Sequence, residues 1–245
     1  AILLFSDATR INTRVLRREA GLPVRLLAIG LPLSVALGTL VVHLLIDGME
    51  WWEAALVAAI LAPTDAALGQ EVVTDPAVPA RIRQGLNVES GLNDGLVVPA
   101  VALFLALAVD EDDTGSAGFW ARFVFEQIGV GLAVGLVVGA IGAWLLGTAA
   151  SRGWADGLYV QLATLATAIA AFTTALSLDG NGFIAAFVGG LAFGRVAPDP
   201  HKMGEYTEDT AQLAAAVSFF LFGNVLLGPA LDDVTAPVLL CAILA

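Results

Sequence analysis

Glu89, Ser90, Asn93 and Asp94 fall close together in LNVESGLNDGLVVPAVALFLALAV (86–109), a stretch otherwise dominated by apolar residues. At about 100° per helical residue, Glu89 and Asn93 lie one turn apart, as do Ser90 and Asp94, so the two pairs are neighbours on one side of a helix. Carboxylate, hydroxyl and amide oxygens suit a hard cation rather than a soft metal. A poorly solvated carboxylate also keeps its proton to higher pH than it does in water. One acid in such a place, Asp94, is therefore expected to take a proton or a cation, but not both at once.

A second polar place lies in WWEAALVAAILAPTDAALGQ (51–70). Pro63 has no amide hydrogen, its ring opposes the carbonyl of Ala59, and it biases Ala62 away from helical geometry. The helix is predicted to break there, freeing backbone carbonyls beside Thr64 and Asp65. Asp65 is 12 residues from Glu53, which is about 18 Å along a helix. Irregular backbone at that depth is tolerated in a membrane only where it lines a cavity or is buried in protein. Thr64 and Asp65 are also good N-caps for a second half-helix, a role compatible with ion binding.

The elements that carry these residues are membrane helices. The chain is 58% hydrophobic and 14% charged, against about 25% charged for soluble domains. Apolar runs approach the roughly 20 residues needed to cross a bilayer core. Spans are predicted at 1–9 (the tail of a helix), 23–46, 51–75 (interrupted), 84–109, 119–149, 157–178, 181–196, 204–228 and 236–245. The fold class is an all-α polytopic membrane protein, with 1–245 forming one transmembrane domain. The apolar AILLF start and APVLLCAILA end read as helices that continue beyond both ends.

The connections test this topology independently. One alternating set holds ten of the eleven basic residues; only Arg122 falls on the other side. Lys and Arg accumulate in cytoplasmic loops, which makes 10–25, 79–83, 151–156 and 196–203 cytoplasmic, with the plasma membrane as the expected location. The acidic DEDDTGSAG loop (110–118) is then external, and Trp51, Trp52 and Trp120 sit at the outer boundary. Asp94 is 11 residues from Arg83 and 16 from Asp110, about 16 and 24 Å along the axis, which puts it inside the membrane. An ionisable residue there costs at least about 2.5 kcal/mol, and ion pathways or proton relays are the usual reason for it. Gly91 and Gly95 let another backbone approach the same helix.

Net charge of −12 argues against a nucleic-acid partner, and the single cysteine, Cys241, excludes an intrachain disulfide. A broken helix (51–75) facing a carboxylate-bearing helix (84–109) is a transporter arrangement for a small cation at the midplane. Exchange of a cation for a proton at Asp94, with alternating access, is antiport. Glu89 reads as a structural acid that needs a cationic partner, and no intramembrane Lys or Arg occurs in the given sequence to supply one.

These residues resemble a known family. APTD (62–65) followed by VPARIRQGLNVESGLNDGL (78–96) is similar to the monovalent cation:proton antiporters, in the Asn-Asp branch that includes sodium/proton antiporters and exchangers. LLFSDATRI at the start and NGFIAAFVGGLAFGR (181–195) resemble the same family, so the likeness covers essentially the whole chain. It implies an inverted-repeat transporter fold with discontinuous crossing helices, in which a core domain moves against the dimerisation domain of a homodimer. It further implies that Asp94 carries the ion and the proton, and that Asp65, Thr64 and Ser90 contribute to the cation site. By the same likeness Asn93 shapes the site, Glu89 pairs with an arginine on a later helix, and Asp7 is an additional acidic residue near it. Exchange is expected to be electroneutral, with Na⁺ favoured and K⁺ or Li⁺ as alternatives. No cofactor and no enzymatic activity are expected.

The sequence departs from the family at Ala66, where many relatives have proline after Thr-Asp. A Thr74-Asp75-Pro76 copy exists, but near the cytoplasmic connector, at the wrong depth for a midplane site. His43 and His201 read as interface or surface residues, Asn181 and Asn224 as helix-packing residues, and Glu126 as a partner for Arg122 four residues earlier. A passive cation channel is the alternative within transport. An intramembrane aspartyl protease is the alternative outside it, though that reading explains neither Pro63-Thr64 nor the Glu89, Ser90 and Asn93 cluster.

Overall fold

The computed structural model describes residues 1–11, 21–64, 75–109, 117–231 and 234–244. Among these residues all regular structure is helical. Helix α1 covers Ile2–Thr9 and α2 covers Gly21–Leu45, with a π-helical stretch at Leu26–Gly30. Helix α3 is Trp51–Leu61, α4 is Ala80–Ala108, α5 is Ala117–Ser151, α6 is Gly157–Ser177 and α7 is Gly182–Val196. Helix α8 runs over Pro200–Leu221 and continues through a π-helical stretch, Phe222–Leu227, to Gly228–Ala230; α9 is Ala236–Leu244. Gly21–Leu45, Arg81–Ala108, Gly118–Ser151, Gly157–Ser177 and Lys202–Ala230 are long and apolar enough to cross a membrane.

Helices occupy the predicted ranges among the described residues, with 65–74 of the 51–75 range lying outside them, and two helices start four residues earlier than expected. Helix α4 begins at Ala80 rather than 84, and α8 at Pro200 rather than 204. In both cases the apolar stretch marks the lipid boundary, while the helix begins in the polar layer before it. Pro79 precedes α4, and Asp199 caps α8 by accepting from the Lys202 amide at 3.2 Å. The π-helical stretches each lie just before a proline, Pro32 and Pro229. Proline removes a ladder hydrogen bond and crowds the preceding turn, and a widened turn accommodates both effects. In the second stretch Asn224 bonds within its own helix among the described residues. Its amide donates to the Phe220 carbonyl at 3.1 Å.

Helix α7 is the central post, buried along most of its length. It packs against α5, α1, α6 and α4. Glycines make the closest approaches possible. A Cβ on Gly139 would lie 2.2 Å from the Gly189 carbonyl oxygen, and one on Gly135 would lie 2.6 Å from that of Ala185. Gly190 and Gly194 likewise receive the backbones of Phe5 and Thr9, whose carbonyl oxygens would each lie 2.2 Å from an added Cβ.

These pairings also fix direction. Numbers rise together between α7 and both α1 and α5, whereas Gly91 meets Phe187 and Gly95 meets Ile184, so α4 runs opposite to α7. Those are the relative directions that alternating membrane crossings require. Around the post, Phe5, Ala143, Ala168, Ala186 and Phe193 form one apolar core, and Ala8, Val88, Ile184 and Phe187 form another. Arg10 at the end of α1 pairs with Glu208 of α8, tying the two helices together. Arg122 and Glu126 form the expected i,i+4 pair at 2.6 Å. His43 stacks on Trp51 at the end of α2, with Nδ1 2.9 Å from the Met49 carbonyl oxygen.

Candidate functional site

Helix α3 stops at Leu61, two residues before Pro63, and Ala62 closes its last turn by donating to the Ala58 carbonyl. Beyond it the chain bends, and Thr64 is non-helical. The predicted break is therefore present, for the reason that predicted it: Pro63 has no hydrogen with which to extend the ladder. Asp65 lies outside the described residues.

The break delivers Thr64 to the face of α4 that carries the acidic cluster. The Thr64 hydroxyl lies 3.1 Å from Glu89 Oε2, 3.0 Å from Ser90 Oγ and 2.9 Å from Asn93 Nδ2. A hydroxyl has one hydrogen and two acceptor positions. An ionised Glu89 only accepts and an amide nitrogen only donates, so Thr64 donates to Glu89 and accepts from Asn93. The Ser90 hydroxyl, with one hydrogen of its own, faces both Thr64 Oγ1 at 3.0 Å and Glu89 Oε2 at 3.5 Å. Thr64 is thus the hub of a three-partner network.

Asn93 is fully buried. Its amide nitrogen also faces Glu89 Oε1 at 3.3 Å and the Thr64 carbonyl at 3.4 Å, while its Oδ1 accepts from the Asp94 backbone amide at 2.7 Å. A buried amide left unpaired would cost about 1–3 kcal/mol, so these contacts hold the Asn93 side chain in place. Asp94 follows directly on the same helix, half-buried.

The structure therefore brings together Thr64, Glu89, Ser90 and Asn93, with Asp94 adjacent in sequence. Asp7 is half-buried on α1, a helix that packs on α7 and touches α4. The Thr74-Asp75-Pro76 copy has another role. Asp75 is exposed and opens the turn before α4, its carboxylate accepting from the Ala77 amide at 2.8 Å.

Sequence reasoning assigned Asn181 only to helix packing, and its contacts reach further than that. Asn181 is buried at 3% exposure and caps α7, its Oδ1 accepting from the amides of Phe183 and Ile184 at 3.0 and 3.1 Å. Its amide nitrogen donates to the carbonyl of Gly95 at 2.7 Å. That carbonyl would ordinarily pair with the amide four residues on, which belongs to Pro99 and does not exist. The Gly95–Pro99 spacing was the signal that could have pointed to this contact.

The family described as "Sodium/hydrogen exchanger, transmembrane" matches residues 1–245. The chain belongs to that family. Among curated relatives it is similar to the K(+)/H(+) antiporter NhaP2 of Shewanella baltica, 25% identical over 97% of this chain and 40% of that protein. It is also similar to an uncharacterized Na(+)/H(+) exchanger, Mb2309, of Mycobacterium bovis, 34% identical over 62% of this chain and 26% of that one. Among solved structures it resembles the sodium proton antiporter MjNhaP1 from Methanocaldococcus jannaschii. The TM-score is 0.67 at 18% identity, covering 87% of this chain and 52% of that one. At that identity the likeness establishes the fold. The chain spans well under half the length of these curated relatives.

Proposed function

We propose that this chain forms part of a secondary antiporter that exchanges a monovalent cation for a proton at Asp94. The observation that carries the reading is the Thr64 hydroxyl on Glu89, Ser90 and Asn93, which joins the proline-broken segment to the acid-bearing helix one residue from Asp94. Irregular backbone and oxygen donors meeting inside a membrane are what a small hard cation needs. Asp94 binds either ion, and alternating access makes the competition an exchange. Asp65, Thr64 and Ser90 add oxygen donors, and Asn93 fixes the backbone at Asp94.

A cation that takes the Thr64 oxygen competes with the Ser90 hydroxyl and the Asn93 amide that face it. Ser90 is the partner that can turn away, toward Glu89 Oε2 at 3.5 Å, whereas Asn93 is held by its other contacts. Glu89 serves as a structural acid, completed by an arginine from another helix, and Asp7 is a further acid near the site. The working assembly is a homodimer in the plasma membrane, and exchange is electroneutral.

Na⁺ is the first choice of cation. K⁺ is the second reading, favoured by relatives named as K(+)/H(+) antiporters that align over 97% of the chain. The test is cation/proton exchange by the full-length gene product in proteoliposomes under an imposed pH gradient, across Li⁺, Na⁺ and K⁺. Exchange driven by Na⁺ and abolished by Asp94→Asn is expected. Exchange with K⁺ alone would transfer the assignment to the second reading. Downhill cation flux without proton movement would replace antiport with a channel.

A further inference from the structure

Beyond the acidic cluster itself, we infer that Asn181 is a positioning residue for Asp94, acting through the backbone of α4 at Gly95; the inference rests on the antiport reading of Asp94. Three observations converge on it. Pro99 deprives the Gly95 carbonyl of its helical partner, in the turn that follows Asp94. The Asn181 amide supplies the missing donor at 2.7 Å, in a place that is buried and remote from solvent donors. Asn181 is itself fixed, because its other side-chain atom caps α7 and its backbone amide donates to the Gln127 carbonyl of α5 at 3.0 Å.

The consequence is a rigid strut from the central post to the carrier's own helix. A helix interrupted by proline is free to bend at the unpaired carbonyl, and a bend at Gly95 moves the next residue back, Asp94. Asn181 removes that freedom. The packing is close enough to transmit the constraint: a Cβ on Gly95 would lie 2.6 Å from Ile184 Cγ1 and 3.3 Å from Asn181 Oδ1. The cap and the strut also use different atoms of one side chain, Oδ1 and Nδ2, so substitution can separate them.

Serine is the separating variant. Its hydroxyl still caps a helix but is too short to reach the Gly95 carbonyl. Pro99→Ala is the matching rescue, since it restores an amide within α4 for that carbonyl. In the full-length gene product in proteoliposomes, Asn181→Ser should raise the KM for Na⁺ about three- to tenfold, the effect of losing one buried hydrogen bond, with the maximal rate little changed. Pro99→Ala alone should behave like the unsubstituted protein, and in its background Asn181→Ser should have lost most of its effect. Hydrogen exchange should show the amides around Gly95 less protected in Asn181→Ser and protected again in the double variant.

Equal losses in both backgrounds, or an unchanged KM with only a lower membrane yield, would reduce Asn181 to a cap and overturn the inference. Absence of exchange in the unsubstituted protein would overturn the antiport reading as well. The two failures are therefore distinguishable.

Discussion

The side-chain amide of Asn93 lies 2.9 Å from the hydroxyl of Thr64, bridging two elements separated by 29 residues of chain. One of them ends because a proline cannot continue it; the other carries Asp94 on the next residue. Neither contact partner is charged, so the bridge orders the site without competing for the proton.

Removing the hub should therefore weaken cation binding while sparing the fold. Thr64→Val keeps the side-chain shape but deletes the hydroxyl that meets Glu89, Ser90 and Asn93. Cation KM measured in proteoliposomes should rise about tenfold or more, because a buried amide loses its nearest acceptor. Thr64→Ser should restore most of the affinity. Equal KM values for Val and Thr would remove Thr64 from the site.

Competition at Asp94 fixes a sign for the pH dependence. Protons and cations exclude each other, so lowering the pH should raise the apparent KM for the cation and leave the maximal rate unchanged. On the acid side of the carrier's titration the rise should approach about tenfold per pH unit, as linkage for one proton requires. A maximal rate that falls with pH at constant KM would place the titrating group outside the binding site.

Glu89 should behave as structure rather than cargo carrier. Its carboxylate accepts from Thr64 at 3.1 Å and from Asn93 at 3.3 Å. Glu89→Gln should lower the thermal stability of the purified protein by about 1–3 kcal/mol, because one oxygen facing the Thr64 hydroxyl or the buried Asn93 amide becomes a donor. Cation KM in the surviving protein should stay near its original value. A large KM change without loss of stability would make Glu89 a ligand instead.

The glycine contacts predict a contrast within α5. Gly139→Ala would drive a methyl to 2.2 Å from the Gly189 backbone oxygen, and backbone cannot step aside cheaply. Unfolding measurements should show a loss of about 1–3 kcal/mol, the usual cost of overpacking. Gly129 faces open space, so Gly129→Ala should be neutral or slightly stabilising, because alanine is favoured over glycine in a helix by about 1 kcal/mol.

How far the molecule was legible from its residues depended on the range of each interaction. The break at Pro63 acts within four residues, and it appears where the proline requires it. The grouping of Glu89, Ser90 and Asn93 follows from one helical turn, and their meeting with Thr64 accords with the similar depth predicted for the two segments. Helix starts at Ala80 and Pro200 were misplaced by four residues because hydropathy reports lipid, whereas capping and propensity report helix. The Asn181–Gly95 bond spans 86 residues, and no local pattern indicates which distant side chain serves an orphaned carbonyl. Pro99 announced the vacancy; only the fold names its occupant.

The central claim is that one carboxylate, Asp94, exchanges its proton for the cation. Its most direct test is cation-induced proton release from the purified full-length gene product in weakly buffered detergent solution. Saturable release of one proton per bound cation is predicted, weaker at lower pH and absent in Asp94→Asn. Cation binding without proton release, or release that persists in Asp94→Asn, would contradict it.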